Sequence, residues 1–448
     1  MSEAPVHHSR TVLAIVLDGE EVCGVTVRDR SIVAHRVFDP DTDPSEILAA
    51  LAETADHSPS DPVEVTLTIG GLLTALLSDG STDAGVAVVR IVPRPASDPR
   101  LGRNPRPRVE RLVRNRFSVQ GGCDLFGRPV SALDVAGVQE VARQVAALGI
   151  DSIAVVGSGS TAHPHQERQA ADILQARCGS ARIILAGDLG GQGFVAREST
   201  AVHDAALFEP VDRLLGAWES AVARIFPGST THVARSDGGL STLSWARNHP
   251  VILLSSELST TLLGAAADAG LDACRVRIHT HSGQLEGEVR DRLVVVGTDA
   301  WASLDGPMGW DLVIPQAELS TVFAHPWPTD HPDRDEAATE AVVEPTLHRN
   351  LLAGLGSAVS APSAWVDEVA YITTAEQLTT LREDVRTRVI TLATANGAAP
   401  GSARVVEMSA IAMPFTPAGT VRITARATGS PSPGRRLVPD TADRVRAG

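Results

Sequence analysis

The sequence predicts a two-domain α/β protein, and three observations support this fold class. The chain has 448 residues, which is more than a single ordinary core usually accommodates. Aromatic residues make up only 3% of it, so the cores must consist mainly of aliphatic side chains, as in parallel sheets covered by helices. The middle of the chain alternates aliphatic runs with amphipathic segments, a pattern typical of β-α-β units with right-handed crossovers.

The N-terminal part of the chain predicts a β-meander followed by a helix and two further strands. Turn residues at Asp18-Gly19 separate the first two strands, and Pro44 lies in the first turn of the helix. Residues 93–116 are rich in Pro and Arg, and each Pro removes a backbone donor, so we expect a loop leading into an Arg-rich helix there. The predicted strands are 11–17, 22–27, 31–37, 63–69 and 86–92, and the helix ends near residue 54.

The rest of the chain continues the alternation of helices and strands. Residues 273–296 predict a hairpin followed by a buried strand, and residues 324–345, rich in Pro, Asp and Glu, predict a surface excursion. Residues 1–10 and the Gly/Pro/Ser/Arg-rich residues 429–448 are expected to be disordered. The predicted helices are 137–148, 165–178, 208–226, 259–269 and 375–396, and the strands are 150–156, 181–186, 231–234, 403–411 and 420–427.

Composition and charge exclude several classes of function. The net charge of −15 opposes nonspecific binding to nucleic acid or to an anionic membrane surface. The sequence has no Lys, so neither a Schiff base nor a phosphate-loop amine is available. The four Cys stand far apart without a CxxC pair, which argues against a zinc knuckle and a disulfide framework. Neither a signal core nor a run of about 18 apolar residues is evident, so we expect a cytoplasmic protein without a membrane span.

A series of short motifs resembles one protein family in the order in which that family carries them. They are VQGGCDLFGRPVSALD (119–134), VARQVAALGIDSIAVVGSGSTAHPHQERQAADIL (141–174), ILAGDLGGQGFVARESTAV (184–202), ARSDGGLSTLSWARNHPV (234–251), LSSELSTTLLGAAADAGLDA (254–273), VVVGTDAWASL (294–304) and LAGLGSAVSAPSAWVDEVA (352–370). Together with the final helix and two strands, they identify the chain as a divergent and shortened member of the hydantoinase/oxoprolinase A family, over about residues 11–428.

This resemblance implies a fold and a class of activity. Such proteins resemble actin-like ATPases, with two domains of ribonuclease-H-like fold, mixed sheets and covering helices around a nucleotide cleft. Members hydrolyse cyclic amides, or carboxylate ketones, at the expense of ATP with Mg²⁺, often beside a hydantoinase B-like subunit. The implied division is an N-terminal domain over 11–185 and a shortened hydantoinase A-like domain over 186–428.

The two Gly-rich turns that would bind phosphate in this family are altered here. Backbone amides bind phosphate in such turns, and a preceding Asp holds Mg²⁺. The family pattern Asp-x-Gly-Gly-Thr corresponds to residues 16–20, where Val16 takes the Asp position and Asp18 and Glu20 replace a Gly and the Thr. The second turn is predicted at residues 277–281, where Arg277 takes the acid position and both Gly are missing. ATP and Mg²⁺ are therefore implied by the family but expected to bind poorly.

At further positions, the sequence either departs from the pattern of the family or matches it. Leu72 or Leu73, Cys123 and Gly187 stand where the family often has His. The positions that match become candidate site residues: Asp124, Asp188, Arg197 and Glu198 for catalysis, and Asp18, Gly19, Asp237, Gly238 and Gly239 for the cofactor. Each also has a structural interpretation, as a turn residue for the Asp and Gly positions and as a helix ion pair for Arg197-Glu198. No metal site is predicted, because the pair His279 and His281 lacks a third ligand.

Three functions follow from these motifs and remain open at this point. The chain is an ATP-dependent hydrolase of cyclic amides such as hydantoins or 5-oxoproline, a noncatalytic scaffold or regulatory partner of a hydantoinase-type complex, or a sensor that binds a small ligand between its domains. The expected partners are a hydantoinase B-like subunit or further copies of the chain. Neither nucleic acid nor a membrane is expected as a partner.

Overall fold

The computed structural model describes residues 10–54, 63–78, 85–95, 104–124, 126, 128–280, 283–297, 312–322, 341–413 and 416–432. Its strands are β1 (Thr11–Leu17), β2 (Val22–Arg28), β3 (Ser31–Phe38), β4 (Glu64–Thr68), β5 (Val86–Val92), β6 (Val113–Gln120), β7 (Ser152–Gly157), β8 (Arg182–Leu185), β9 (Thr230–Ala234), β10 (Leu240–Thr242), β11 (Cys274–Thr280), β12 (Gly283–Arg290), β13 (Leu293–Val294), β14 (Val296–Gly297), β15 (Gln316–Ala317), β16 (Leu319–Val322), β17 (Val342–Val343), β18 (Ser363–Tyr371), β19 (Arg404–Ala412) and β20 (Thr420–Thr428). Its α-helices are α1 (Pro44–Thr54), α2 (Gly70–Ser78), α3 (Pro107–Leu112), α4 (Val135–Leu148), α5 (His165–Arg177), α6 (Phe194–Ile225), α7 (Leu243–Asn248), α8 (Ser256–Asp268), α9 (Arg349–Val359) and α10 (Ala375–Ala395).

The first sheet is mixed and is built around β1. β1, β2 and β3 form the predicted antiparallel meander, while β4 pairs parallel with β1 and β9 pairs parallel with β4. The full order is β10-β9-β4-β1-β2-β3. The aliphatic side chains of β1 are buried on both faces, against α1 and α6 on one side and α9 on the other. Since β9 and β10 complete this sheet, the chain crosses the boundary implied at residues 185 and 186 to finish its first core.

A second, smaller sheet repeats the arrangement of the first. β11 and β12 form an antiparallel hairpin, β16 pairs with β12, and β17 pairs parallel with β11. The hairpin turn after β12 also matches the turn after β2, because the sequence reads VRDR at 27–30 and again at 289–292. Both turns place their two central residues at positive φ, the conformation that two-residue hairpin turns require. The two sheets are therefore built on one structural pattern.

A four-stranded parallel sheet with the order β6-β5-β7-β8 lies beside the predicted catalytic residues, which follow its strands or belong to α6. Its crossover helices α4 and α5 pack on one face, and α6 packs on the other. The strand β6 was not predicted, and the expected loop over residues 93–116 is wrong for residues 113–116, which belong to it. The reason is that Arg116 in β6 turns inward to a buried Glu198, so the strand lacks an aliphatic pattern.

The long helix α6 begins at Phe194, well before the predicted start at residue 208. From Ala196 to Leu207 every residue of this helix is buried, including several polar ones. A segment that is buried all round shows no amphipathic period, so the sequence pattern becomes recognisable only in the second half of the helix. The mixed α/β fold class predicted from the sequence is confirmed by this arrangement of sheets and helices.

Helices α8 and α9 cross at a very short distance. A Cβ atom added to Gly356 would lie 1.7 Å from the Thr260 carbonyl oxygen, and one added to Gly264 would lie 1.9 Å from the Leu352 carbonyl oxygen. The segment Pro250–Asp268 has a mean hydropathy of 1.3 and is long enough to cross a membrane, yet 94% of it is buried inside the protein. It is thus the central helix of the core.

The substitution Gly356→Ala tests this crossing. Replacing Gly by Ala in a helix normally stabilises it by about 1 kcal/mol. Here the added methyl group meets backbone atoms that cannot rotate away, so we expect a net loss of roughly 3 kcal/mol, measured by denaturant unfolding. Gly216→Ala in α6 is the matched control, because its Cβ would have only Arg247 Nη2 within reach, at 3.5 Å. Equal effects of the two substitutions would show that α8 and α9 do not touch in this way.

The C-terminal part forms a three-stranded sheet, β18-β20-β19, covered by α10. The expected disorder begins at residue 429, but residues 429–432 are hydrogen-bonded: the Gly429 N–H donates to the Pro362 carbonyl and the Ser432 N–H to the Gly397 carbonyl. Residues 1–9 and 433–448, also expected to be disordered, lie outside the described residues, as does most of the predicted excursion at 324–345.

Candidate functional site

The β1–β2 turn is closed by the carboxylate of Asp18. Oδ1 of Asp18 accepts the backbone N–H groups of Glu20 and Glu21, both at 2.9 Å. Gly19, which follows Asp18, has φ +99°, a backbone conformation that is strained for any residue with a side chain. Side-chain capping of this kind is a common property of Asp in turns. Its consequence here is that two amides of the turn are occupied by the protein's own anion.

The N-terminus of α9 fixes this carboxylate in place. The Asn350 side chain donates from Nδ2 to Asp18 Oδ2 at 2.6 Å and to Glu21 Oε1 at 2.9 Å. Burial raises the pKa of Asp18, but the hydrogen bonds from Glu21 and Asn350 outweigh burial and leave that pKa below its ordinary value. Asp18 is therefore ionised at neutral pH, and an amide bridges two acids of the turn.

A second carboxylate, Glu257, lies at the start of α8 close to the same turn. It is 6% exposed, and a Cβ added to Gly70 at the start of α2 would lie 2.2 Å from its Oε2. Arg349 lies 3.6 Å from Oε1, whereas Oε2 has no hydrogen-bond partner among the described residues. Burial raises the pKa of Glu257; the Arg349 charge opposes this shift and the Asp18 charge adds to it. We call Asp18, Glu21, Glu257, Arg349 and Asn350 the acidic turn cluster.

The second predicted turn was placed in the wrong register. Residues Arg277 to Thr280 are paired in β11 and form no turn, and residues 281 and 282 lie outside the described part of the chain. Arg277 donates to Glu286 Oε2 at 3.0 Å and to Glu344 Oε1 at 2.9 Å on the exposed side of the sheet. His279 is likewise a strand residue, with Gln284 Nε2 3.3 Å from its Nδ1. The alternation of charged and apolar residues in a strand was taken for a turn.

Asp124 and Asp188 both lie at the carboxyl edge of the parallel sheet, but they are not brought into contact. Asp124 accepts the backbone N–H groups of Phe126 and Arg128 at 2.8 and 3.0 Å and pairs with the Arg128 side chain. The side chain of Asp188 is half exposed and lies 3.6 Å from Arg168. Their contacts are those of turn and surface acids, and their catalytic role stays a prediction.

Arg197 and Glu198 are buried and contact different residues. Glu198 accepts from Arg90 Nε at 2.5 Å and Nη2 at 2.8 Å, and from Asn104 Nδ2 at 3.1 Å. Arg116 Nη2 adds a contact at 3.4 Å. Arg197 points to the other side of α6. These contacts hold β5, β6 and α6 together, and a catalytic role for Glu198 stays a prediction.

The partner of Arg197 is Glu167, a residue that was not singled out from the sequence. Arg197 donates to the Ser160 hydroxyl and, at 2.9 Å, to the Gly157 carbonyl, and it lies 4.0 Å from Glu167. Glu167 accepts the backbone N–H groups of Gly157 at 2.6 Å and Gly187 at 2.9 Å. Burial raises the pKa of Glu167, while Ser160 and Arg197 oppose the shift. The available sequence signal for Glu167 was an acid in the first turn of α5. Its carboxylate joins the end of β7 to the residues that follow β8.

Asp237, Gly238 and Gly239 form a buried turn. Asp237 is fully buried and accepts from Ser363 Oγ and from the Gly239 N–H, both at 3.0 Å. Although burial raises the pKa of Asp237, the charges of Arg235 and Arg426 lower it overall. A Cβ added to Gly239 would lie 1.9 Å from Ser363 Oγ. The turn docks β18 and β20 onto the first sheet, and its predicted role in cofactor binding stays a prediction.

Among the described residues, no group of three or more His, Cys, Asp or Glu side chains is arranged to hold a metal ion. The cysteine that replaces a family His, Cys123, has its Sγ 3.6 Å from His165 Nε2. Burial raises the pKa of Cys123, and the Asp124 charge adds to that shift, so the thiol is protonated at neutral pH.

Two solved structures share the fold of this chain. The chain superimposes on acetone carboxylase, in the nucleotide-free structure of a study of ATP-dependent acetone carboxylation, with a TM-score of 0.65, 13% identity, and 95% and 89% of the two chains covered. It superimposes on the ATP-dependent caprolactamase from Pseudomonas jessenii with a TM-score of 0.66, 12% identity, and 94% and 87% covered. The predicted α/β fold of actin-like architecture is thereby confirmed.

A family model matches part of the chain in sequence. Residues 30–178 match the hydantoinase/oxoprolinase N-terminal region, and no curated protein matches the chain. Residues 30–178 are therefore similar to the N-terminal region of the hydantoinase/oxoprolinase family, and the resemblance predicted from the motifs is confirmed there. Asp124 lies inside the matched region, whereas the β1–β2 turn precedes it.

Proposed function

We propose that this chain is a noncatalytic member of the hydantoinase/oxoprolinase family, whose phosphate-binding turn is filled by its own carboxylates. The observation that carries the proposal is that Asp18 Oδ1 accepts the Glu20 and Glu21 amides. Turns of this type bind phosphate through such amides. A nucleotide would have to displace a carboxylate that is covalently part of the turn.

Electrostatics add to this steric argument. Asp18, Glu20 and Glu21 follow one another around the turn, and Glu257 lies beside it. Each contact between like charges at about 4 Å costs roughly 1 to 4 kcal/mol, depending on screening. A micromolar ligand binds with only about 8 kcal/mol, so two or three such contacts remove a sizeable part of the binding free energy of a polyphosphate. Arg349 is the one cation of the acidic turn cluster, and it is already paired with Glu257.

Calorimetric titration of the full chain with MgATP and with a nonhydrolysable analogue tests the proposal. We expect no binding at millimolar nucleotide, because the turn amides are occupied. Micromolar binding would overturn the proposal and restore an ATP-dependent hydrolase of cyclic amides. A parallel assay of ATP hydrolysis with a hydantoin or 5-oxoproline would then identify the substrate class.

Restoring the family residues in the first turn is not expected to create an ATPase. The triple variant Val16→Asp, Asp18→Gly and Glu20→Thr frees the turn amides, but Val16 is fully buried and an Asp there has no partner. Glu257 and Glu21 also remain. We expect a lower melting temperature and no MgATP-dependent turnover in a coupled phosphate assay. Strong turnover by the triple variant would contradict the idea that more than one element has been lost.

A noncatalytic member of this family acts through a partner, for which we propose a hydantoinase B-like subunit or a further copy of the chain, in the cytoplasm. Co-purification of a stable complex without turnover by the chain alone supports this role. The competing role is a sensor of a small ligand, which predicts a ligand-dependent rise in melting temperature without a partner.

A further inference from the structure

A pocket of about 500 Å³ lies at the end of the first sheet opposite the acidic turn cluster. β1 connects the two places: Val12 lines the pocket, and the strand ends at Leu17, next to Asp18. At about 3.3 Å per residue, they are roughly 20 Å apart. The pocket is therefore separate from the turn on which the proposed function depends, and its function does not rest on that proposal.

The floor of the pocket is apolar and the rim is cationic. β1, β2, α8 and α9 supply aliphatic side chains, among them Val12, Val27, Leu263 and Val359. Arginines at the start of β1 and in two hairpin turns form part of the rim: Arg10, Arg30 and Arg292. Asp29 is the one acid among the lining residues. A cavity of this size with an apolar body and a few polar groups is typical of a small-molecule site.

The matched VRDR turns place Arg30 and Arg292 at the mouth of the pocket. Arg30 has φ +68° and Arg292 φ +64°, so each occupies the second central position of its turn. Arg292 makes a bidentate pair with Asp272, at 2.5 and 2.9 Å. Arg30 makes no hydrogen bond and no ion pair within 4.0 Å with any described residue, although its charge also acts on Asp272. One hairpin thus has its arginine satisfied by the protein, and the other presents an arginine available to an anion.

We propose that this pocket binds an amphipathic carboxylate, a small molecule with an aliphatic body and one carboxylate head. The body lies on the aliphatic floor, where burial of apolar surface stabilises it. The carboxylate accepts from the Arg30 guanidinium, whose planar pair of donors matches a carboxylate. The Arg10 side chain also lines the pocket but pairs with Glu64 at 2.6 Å, so Arg30 is the guanidinium that the carboxylate meets.

Calorimetric titration of the full chain with sodium octanoate tests the proposal. We expect a dissociation constant on the order of 0.1 to 1 mM for octanoate. Acetate, which lacks the body, and octylammonium, which reverses the head charge, should each bind at least tenfold more weakly. Equal binding of octanoate and octylammonium would overturn the assignment of a carboxylate.

Two variants locate the ligand within the pocket. Arg30→Gln should weaken octanoate binding at least tenfold, whereas Arg36→Gln on the exposed strand β3 should leave it unchanged. Ala267→Leu extends an apolar side chain from α8 into the cavity and should abolish binding with little change in melting temperature. Unaltered octanoate affinity in both Arg30→Gln and Ala267→Leu would show that the ligand binds elsewhere and would overturn the proposal.

Discussion

Replacing Glu198 with Gln is expected to destabilise the protein by roughly 3 kcal/mol, because it leaves the buried Arg90 without its anion, while Arg116 keeps Glu110 at 2.5 Å. Arg90 and Arg116 converge on this carboxylate from neighbouring strands, and both side chains are largely buried. The Gln side chain keeps the volume and can still accept from Asn104, so the loss measures charge rather than packing. Denaturant unfolding monitored by circular dichroism provides the free energy.

Asp188→Asn is the matched control for Glu198→Gln, since both positions were predicted from the same motif of the family. The Asp188 side chain is half exposed and its ion pair with Arg168 spans 3.6 Å, so its neutralisation should change stability by less than about 0.5 kcal/mol. If Glu198→Gln left the unfolding midpoint unchanged, the structural interpretation of Glu198 would be wrong, and its predicted catalytic role would be favoured instead.

The ion pairs around Glu198 explain why some elements of the fold were predicted from the sequence and others were not. β1 and β5 were predicted to the residue because their aliphatic runs are buried on both faces. β6 and the first half of α6 were missed, and these are the elements that carry Arg116 and Glu198. Both ends of a buried ion pair look like surface residues in the sequence. Their pairing depends on the tertiary fold, across a separation of 82 residues.

The candidate site was predictable to a similar extent. The acids of the first turn were recognised from their local pattern, since a turn is defined by consecutive residues. Asn350 and Glu257 were not recognised, because they reach the turn from α9 and α8, and Asn350 lies 332 residues from Asp18. The second turn was predicted at residues that belong to β11, because a strand rich in Arg and His carries no local signal for where it ends.

Asp204→Asn is expected to stabilise the protein above neutral pH and to have little effect near pH 4. Asp204 is fully buried in α6, where burial raises its pKa to about 7, while the Val251 backbone N–H and the charge of Arg182 oppose the shift. Its Oδ1 accepts the Val251 N–H at 2.9 Å, and Oδ2 has no hydrogen-bond partner among the described residues. The folded protein therefore holds a proton on Asp204 that the unfolded chain releases near pH 4.

The sign of the effect follows from that proton. A carboxyl group with a raised pKa stabilises the folded state fully below its unfolded pKa of 3.8, and this contribution is lost as the pH rises towards the folded value of about 7. The loss amounts to roughly 4 kcal/mol over that interval, and stability should not fall further above it. Asn is neutral at every pH and retains the acceptor for Val251. The free energy of unfolding of the variant therefore does not fall over this pH interval.

Thermal unfolding of both proteins from pH 4 to pH 8.5 measures the difference. We expect the melting temperatures to coincide at the acidic end and to diverge between pH 5 and 7, with the Asn variant higher at pH 8. His249 nearby, whose pKa burial lowers to about 4, is present in both proteins, so its own pH dependence affects both melting temperatures alike and does not produce the divergence. Parallel pH profiles for the two proteins would mean that Asp204 is ionised in the folded state, and that the Val251 amide and Arg182 outweigh its burial.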